Sequence, residues 1–175
     1  MNRGKAFFPV LPGCFVALFL ILQGGAIFSA AFGFEPEEPV YLYFADPDTG
    51  YLAGESRRIE PVDSRSAFYA VIVKELISGP EGDLEPTFPP ETELLALYEG
   101  PDNTVFVDLS ADVAKMHPGG VRSELLSVYS IVNTLMLNSS RIRAVKILVN
   151  GDETETLAGH VDITRPLKAR ILLVR

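Results

Sequence analysis

Three groups of residues have the types and spacing to do chemistry. His160 and Asp162 supply a base and a carboxylate that could orient it, with Ser127 or Ser130 as the nucleophile. Residues two apart on a strand share a face without facing each other, and no Gly-x-Ser-x-Gly elbow presents a serine. Gly159 and His160 therefore read as a turn with local hydrogen bonding. Asp108, Asp112 and Glu124, near a strand end and helix starts, are the acids from which a glycosidase would draw two carboxylates about 5 to 10 Å apart. The same acids have a plainer use: Asp112 caps a short helix, and Glu124 sits in the positive end of a longer helix's dipole. Asp46, Asp48 and Gly50 invite a calcium reading, but the last position of a full calcium loop falls on Arg57 where a bidentate Glu is needed. Asp-Pro and Thr-Gly explain that loop as turn chemistry. Two histidines and one cysteine give no zinc spacing, so no catalytic residue, metal or cofactor is expected.

What remains is binding, and the helix read at Ser123–Asn138 carries the candidate surface. Leu125, Val128, Tyr129, Val132, Leu135 and Met136 recur at helical spacing as one apolar stripe. Opposite it lies a polar, uncharged strip, of which Ser127, Ser130, Thr134 and Asn138 are the candidate binding residues, facing solvent or a partner. The alternative site is an exposed sheet edge able to add a strand from another copy or partner. Ser123 caps this helix and Asn138-Ser139-Ser140 ends it. Next come a strand at Ala144–Val149, a type I′ turn at Asn150-Gly151 and a returning strand at Glu153–Leu157.

The remaining elements position that helix. Val40–Phe44 and Tyr51–Glu60 read as a hairpin around the 45–50 loop. Asp63 or Ser64 caps a helix with Phe68, Val71, Ile72 and Leu76 on one face, ended by Gly79-Pro80. Glu81–Pro90 is a Pro-rich connector, barred from helix and central strand alike. Glu93–Tyr98 and Thr104–Leu109 form a second hairpin, and Val113–Met116 one or two helical turns. Residues 166–175 are a tail whose Ala169–Val174 is apolar enough to add a strand. The expected architecture is a single α/β domain of the α+β type, two helices on one face of a mainly antiparallel sheet, in the order β-β-α-β-β-α-β-β.

At the amino terminus, Ala6 to Phe34 carry no charge after Arg3 and Lys5. Residues 1–34 read as an export signal or membrane anchor, and 35–39 as an extended linker. Three readings stay open: a secretory signal cut near Phe32, an uncut span through residues 6–34, and lipidation at Cys14. All put the domain outside the cytoplasm, attached through the segment or secreted. Without residues 1–33, which hold Arg3 and Lys5 and no acid, the formal charge moves from −8 to −10. An acidic domain excludes sequence-independent nucleic-acid binding. The small basic groups, Arg57-Arg58, Arg141 with Arg143, and Arg165, Lys168, Arg170 and Arg175, read as solvated surface.

KELISGP at 74–80, VFVDLS at 105–110, YSIVNTL at 129–135, VKILVNG at 145–151 and ETLAGHVD at 155–162 resemble, in order, the blocks of the sporulation and spore-germination (GerMN) domain family. The resemblance spans residues 40–165. It implies a small α/β envelope domain with no catalytic activity to transfer. The function expected on this basis is a non-enzymatic cell-envelope interaction domain for sporulation, germination or wall remodelling. Its partner is peptidoglycan or an envelope protein, with a homo-oligomer also open. The alternative is a wall hydrolase working through paired carboxylates, Asp108 and Glu124.

Overall fold

The computed structural model describes Phe34 and residues 39–175. The expected export segment and linker lie outside the described residues, apart from Phe34 and Pro39. Among the described residues no helix is long and apolar enough to cross a membrane.

Strands β1 (Val40–Ala45) and β2 (Leu52–Arg57) pair antiparallel as one small sheet. Val40, Leu42 and Phe44 alternate inward on β1, the period of two that a half-buried strand requires. Helix α1 (Arg65–Ser78) starts where the Ser64 side chain accepts the Ala67 amide, and stops at Gly79, whose φ of 96° a side chain would oppose. Its Phe68, Tyr69, Ile72, Val73 and Leu76 are buried.

Strands β3 (Leu94–Glu99), β4 (Thr104–Leu109) and β5 (Ala144–Val149) make a second sheet in the order β3-β4-β5. The short α2 (Asp112–Lys115) and the long α3 (Val121–Leu137) lie between β4 and β5 in the chain. Helices α1 and α3 touch each other, and each touches both sheets. The core lies where they meet, with Val105, Val107, Leu109, Val145 and Ile147 against Val128, Ile131, Val132 and Leu135.

The mixed α/β character agrees with the expected class, but the described strands form two sheets, with three helices, in place of the single sheet under two helices that was expected, and three local expectations are also corrected. First, β5 runs parallel to β4, through the helical crossover that a parallel pair requires. Second, the Asn150-Gly151 turn forms, with φ of 55° and 83°, yet Glu153–Leu157 makes no returning strand. Only Asp152 pairs back, to Val149. The reason is competition for the chain: Asp108 accepts the Gly151 amide at 2.8 Å, and Glu124 accepts those of Ala158 and His160, drawing this segment off the β5 edge. Third, Ala169–Val174 is a 3-10 turn (Ile171–Leu173) rather than a strand. Its amides are held by α3 side chains: Ala169 donates to Met136 Sδ and Arg170 to Asn133 Oδ1, leaving Val174 alone to bridge Leu52.

Candidate functional site

Helix α3 begins at Val121, two residues before the expected cap Ser123, after Gly119 and Gly120 at positive φ. Glu124 lies in its first turn, and the polar strip faces the connector and β1. The strip is not open to solvent: Ser127, Ser130 and Thr134 are at most 1% exposed. Ser127 Oγ donates to the Thr87 carbonyl, and Thr87 Oγ1 donates to Ser130 Oγ at 2.9 Å. Thr134 Oγ1 accepts the Tyr43 amide at 3.1 Å, and Asn138 both accepts from and donates to the Tyr41 backbone at 2.9 and 2.7 Å. Glu85 completes the row by pairing with Ala45 in both directions. Thr134 and Asn138, with Glu85, thus replace a neighbouring strand along β1, satisfying amides that would otherwise be orphaned, while Ser127 and Ser130 hold the connector at Thr87. Replacing Thr134 with Val keeps its shape and leaves the Tyr43 N–H unbonded, so stability should fall by about 1–2 kcal/mol in urea unfolding. No change in the unfolding midpoint would mean that the contact contributes nothing.

Both histidines of the chain come to the start of α3. Glu124 is fully buried, and its carboxylate accepts the Ala158 amide at 2.7 Å, the His160 amide at 2.8 Å and His160 Nδ1 at 3.0 Å. Burial is the largest single influence and raises its pKa, but bonds from Ala158, Val161 and His160 together outweigh it and hold the carboxyl below its ordinary value. A general acid needs the opposite shift. Asp108, the proposed second acid, accepts the Gly151 amide and fixes the turn.

His117 is bonded to Ser127 through Nε2 at 2.9 Å, a contact that resembles a nucleophile and its base. The direction of the protons rules against it. The Gly119 amide donates to Nδ1, so the ring carries its proton on Nε2 and donates to Ser127 Oγ. Burial chiefly lowers the His117 pKa, with His160 adding to that and Glu124 opposing it, so the ring stays neutral with its acceptor nitrogen already taken. The pair considered in the sequence, His160 with Asp162, is not joined: Asp162 accepts from Thr164, and His160 turns to Glu124. Asp112 does not cap α2, whose cap is Ala111. The Ser127–His117 and Glu124–His160 contacts had no local signal, since they link residues 10 and 36 apart.

A cleft of about 740 Å³ opens beside this cluster, between the 45–50 loop, the connector and the start of α3. Asp46, Asp48, Glu85, Thr87, Arg122 and Leu126 are among its lining residues. Arg122 ties α3 to the loop through the Gly50 carbonyl at 2.6 Å. Asp46 spends both oxygens inside the loop, on the Asp48 and Thr49 amides and the Thr49 hydroxyl, as the turn reading requires.

The sheet edges differ. The outer edge of β1 is filled as described, that of β5 pairs with Leu167, and that of β2 takes the Arg175 amide at Leu52. Among the described residues nothing pairs with β3 on its outer side. The bonded pair Gly100–Thr104 sets the phase of the ladder, so the backbone groups of Leu97 and Glu99 point outward. Leu95 and Tyr98 on this strand are 48% and 47% exposed, and Tyr98 stacks on Phe106 with ring centroids 5.0 Å apart.

The profile of the family Germane, described as sporulation and spore germination, matches residues 41–155. Among solved structures, the chain is similar to a protein from Clostridium perfringens described as a candidate lipoprotein, at TM-score 0.54 and 25% identity over 75% of this chain and 87% of that one. It is similar in fold to the first GerMN domain of the sporulation protein GerM from Bacillus subtilis, at TM-score 0.60 and 19% identity over 76% of this chain and 98% of that one. The tandem GerMN domains of the same protein match at TM-score 0.60 and 20% identity over 75% of this chain, which spans 46% of the tandem's length. A search of the curated proteins finds no match. The matched residues run from β1 past β5 and take in α1, α3 and both sheets, so the chain belongs to the sporulation and spore germination (GerMN) family.

Proposed function

We propose that the protein is a non-enzymatic interaction domain of the cell envelope that binds a protein partner by strand addition at β3. The observation that carries this reading is the contrast among its edges. The β1 edge is filled by the chain's own side chains and backbone, and those of β5 and β2 are met in part, at Val145 and at Leu52, whereas among the described residues β3 keeps all its outward donors and acceptors beside exposed Leu95 and Tyr98. The donor role of His117 and the doubly engaged Glu124 weigh against the hydrolase alternative. The family assignment and the uncharged amino-terminal run support an extracytoplasmic setting, held at or released from the membrane by residues 6–34.

The test is a photo-crosslinking residue placed at Tyr98 of the full chain in the source cells, with Asn150 in its exposed turn as the control position. Protein adducts are expected from position 98 and not from 150; equal yields would sink the edge reading. A second reading, wall glycan, draws on exposed Tyr41 and its neighbour Tyr43, which flank Gly54 on the outer face of the small hairpin. Saturable, salt-resistant co-sedimentation with peptidoglycan sacculi, lost on changing Tyr41 to Ala, would favour that reading instead.

A further inference from the structure

The two edges of the three-stranded sheet carry opposite charge. Residues 75–114 contain no Lys, Arg or His, and Glu91, Glu93, Glu99 and Asp102 lie exposed on and beside β3. Across the sheet, Leu167 pairs with Val145 in both directions at 2.9 and 2.7 Å, so the 165–170 segment extends the sheet beyond β5. Residues 163–175 contain no acid, and Arg165, Lys168 and Arg170 are exposed there. Among the described residues none of these acids or bases enters an ion pair. Beside the basic edge stand the most exposed large apolar residues described, Ile171 and Leu172, at 68% and 85%.

We infer that β3 of one copy receives the 165–172 segment of a second copy. This rests on the edge reading above and names the partner. Ile171 and Leu172 cover Leu95 and Tyr98, while Arg165, Lys168 and Arg170 meet Glu93, Glu99 and Asp102. Charge complementarity selects this pairing over β3 on β3, which would set acids against acids. Because the joined surfaces are different, the contact is heterologous: each copy keeps one edge free, and the assembly grows until it closes into a ring or continues as a filament. Pro166 has no N–H to donate, and the amides of Leu167, Ala169 and Arg170 are held within their own chain, so side chains and not backbone ladder bonds carry this contact.

The test uses the full chain in detergent, with Cys14→Ser as background and a short bismaleimide crosslinker. Tyr98→Cys together with Leu172→Cys in one chain is expected to give a ladder of dimers, trimers and higher species. A mixture of the two single variants should give dimers alone, and either single variant by itself should stay monomeric. Adding Arg165→Glu and Lys168→Glu should cut the yield about tenfold, as should high salt. Since these two positions are on the surface, their addition should leave the thermal melt unchanged. Monomers in every sample would overturn this contact and leave the β3 edge to be judged by its adducts in cells. Dimers from Tyr98→Cys alone would overturn it in favour of a symmetric pair.

Discussion

Replacing Glu124 with Gln should cost about 3 kcal/mol of stability, roughly 10 °C in thermal melting. The carboxylate sits at 0% exposure and receives two backbone amides and an imidazole nitrogen. An amide has one carbonyl oxygen to offer and turns an N–H donor toward one of those donors, so at least one buried group loses its partner. Amide exchange at Ala158 and His160 should rise first, because these are the groups that Glu124 pins. The pH response follows from two groups. The Glu124 pKa lies below its ordinary 4.5, so its stabilisation is complete above that value and is lost as pH falls through the folded-state pKa. The His117 pKa lies below its ordinary 6.5, so the folded state holds the neutral ring and loses stability as pH falls below that value. The protein should therefore weaken in two acid steps, of which Glu124→Gln removes the lower. A variant that melts within about 2 °C of the parent would show that Glu124 does not hold the loop.

Arg57→Met should be as damaging, at about 3–5 kcal/mol, by the logic of a buried ion pair that loses one member. The Arg57 side chain is 8% exposed and lies 6.0 Å from the centroid of the Phe44 ring. It bonds Glu55 at 2.6 Å, Glu75 at 3.0 Å and the Gly79 carbonyl at 3.0 Å. Glu55 in turn accepts the amides of Glu81 and Gly82, so one charged cluster joins β2 to the end of α1 and the start of the connector. Methionine retains the apolar stem and leaves Glu55 without its counter-charge. Adding Glu55→Gln should return part of the loss in urea unfolding, as expected of coupled partners. Full additivity of the two losses would refute the coupling.

Local signals located the elements, since they are written in adjacent residues. Ser64 and Gly79 mark the ends of α1, Asn150-Gly151 adopts its turn, and the Pro-rich connector forms no strand. The polar strip on α3 was legible as a strip because helical spacing alone defines it. That it faces β1 was not legible, because Tyr41 and Tyr43 lie 97 and 91 residues from their partners. The returning strand at Glu153–Leu157 has strand-like residues, and Glu124 overrides them from more than 30 positions away. The short tail turn yields in the same way to Asn133 and Met136.

The sequence by itself determined the family, the acidic domain and the approximate place of each helix and strand that forms, because composition, periodicity and turn chemistry act over a few neighbours. Tertiary structure alone decided that β5 runs parallel to β4, that the uncharged strip is internal and that, among the described residues, nothing pairs with the outer side of β3. Those outcomes depend on which donor reaches which acceptor once the chain has closed on itself, and every buried amide must find one.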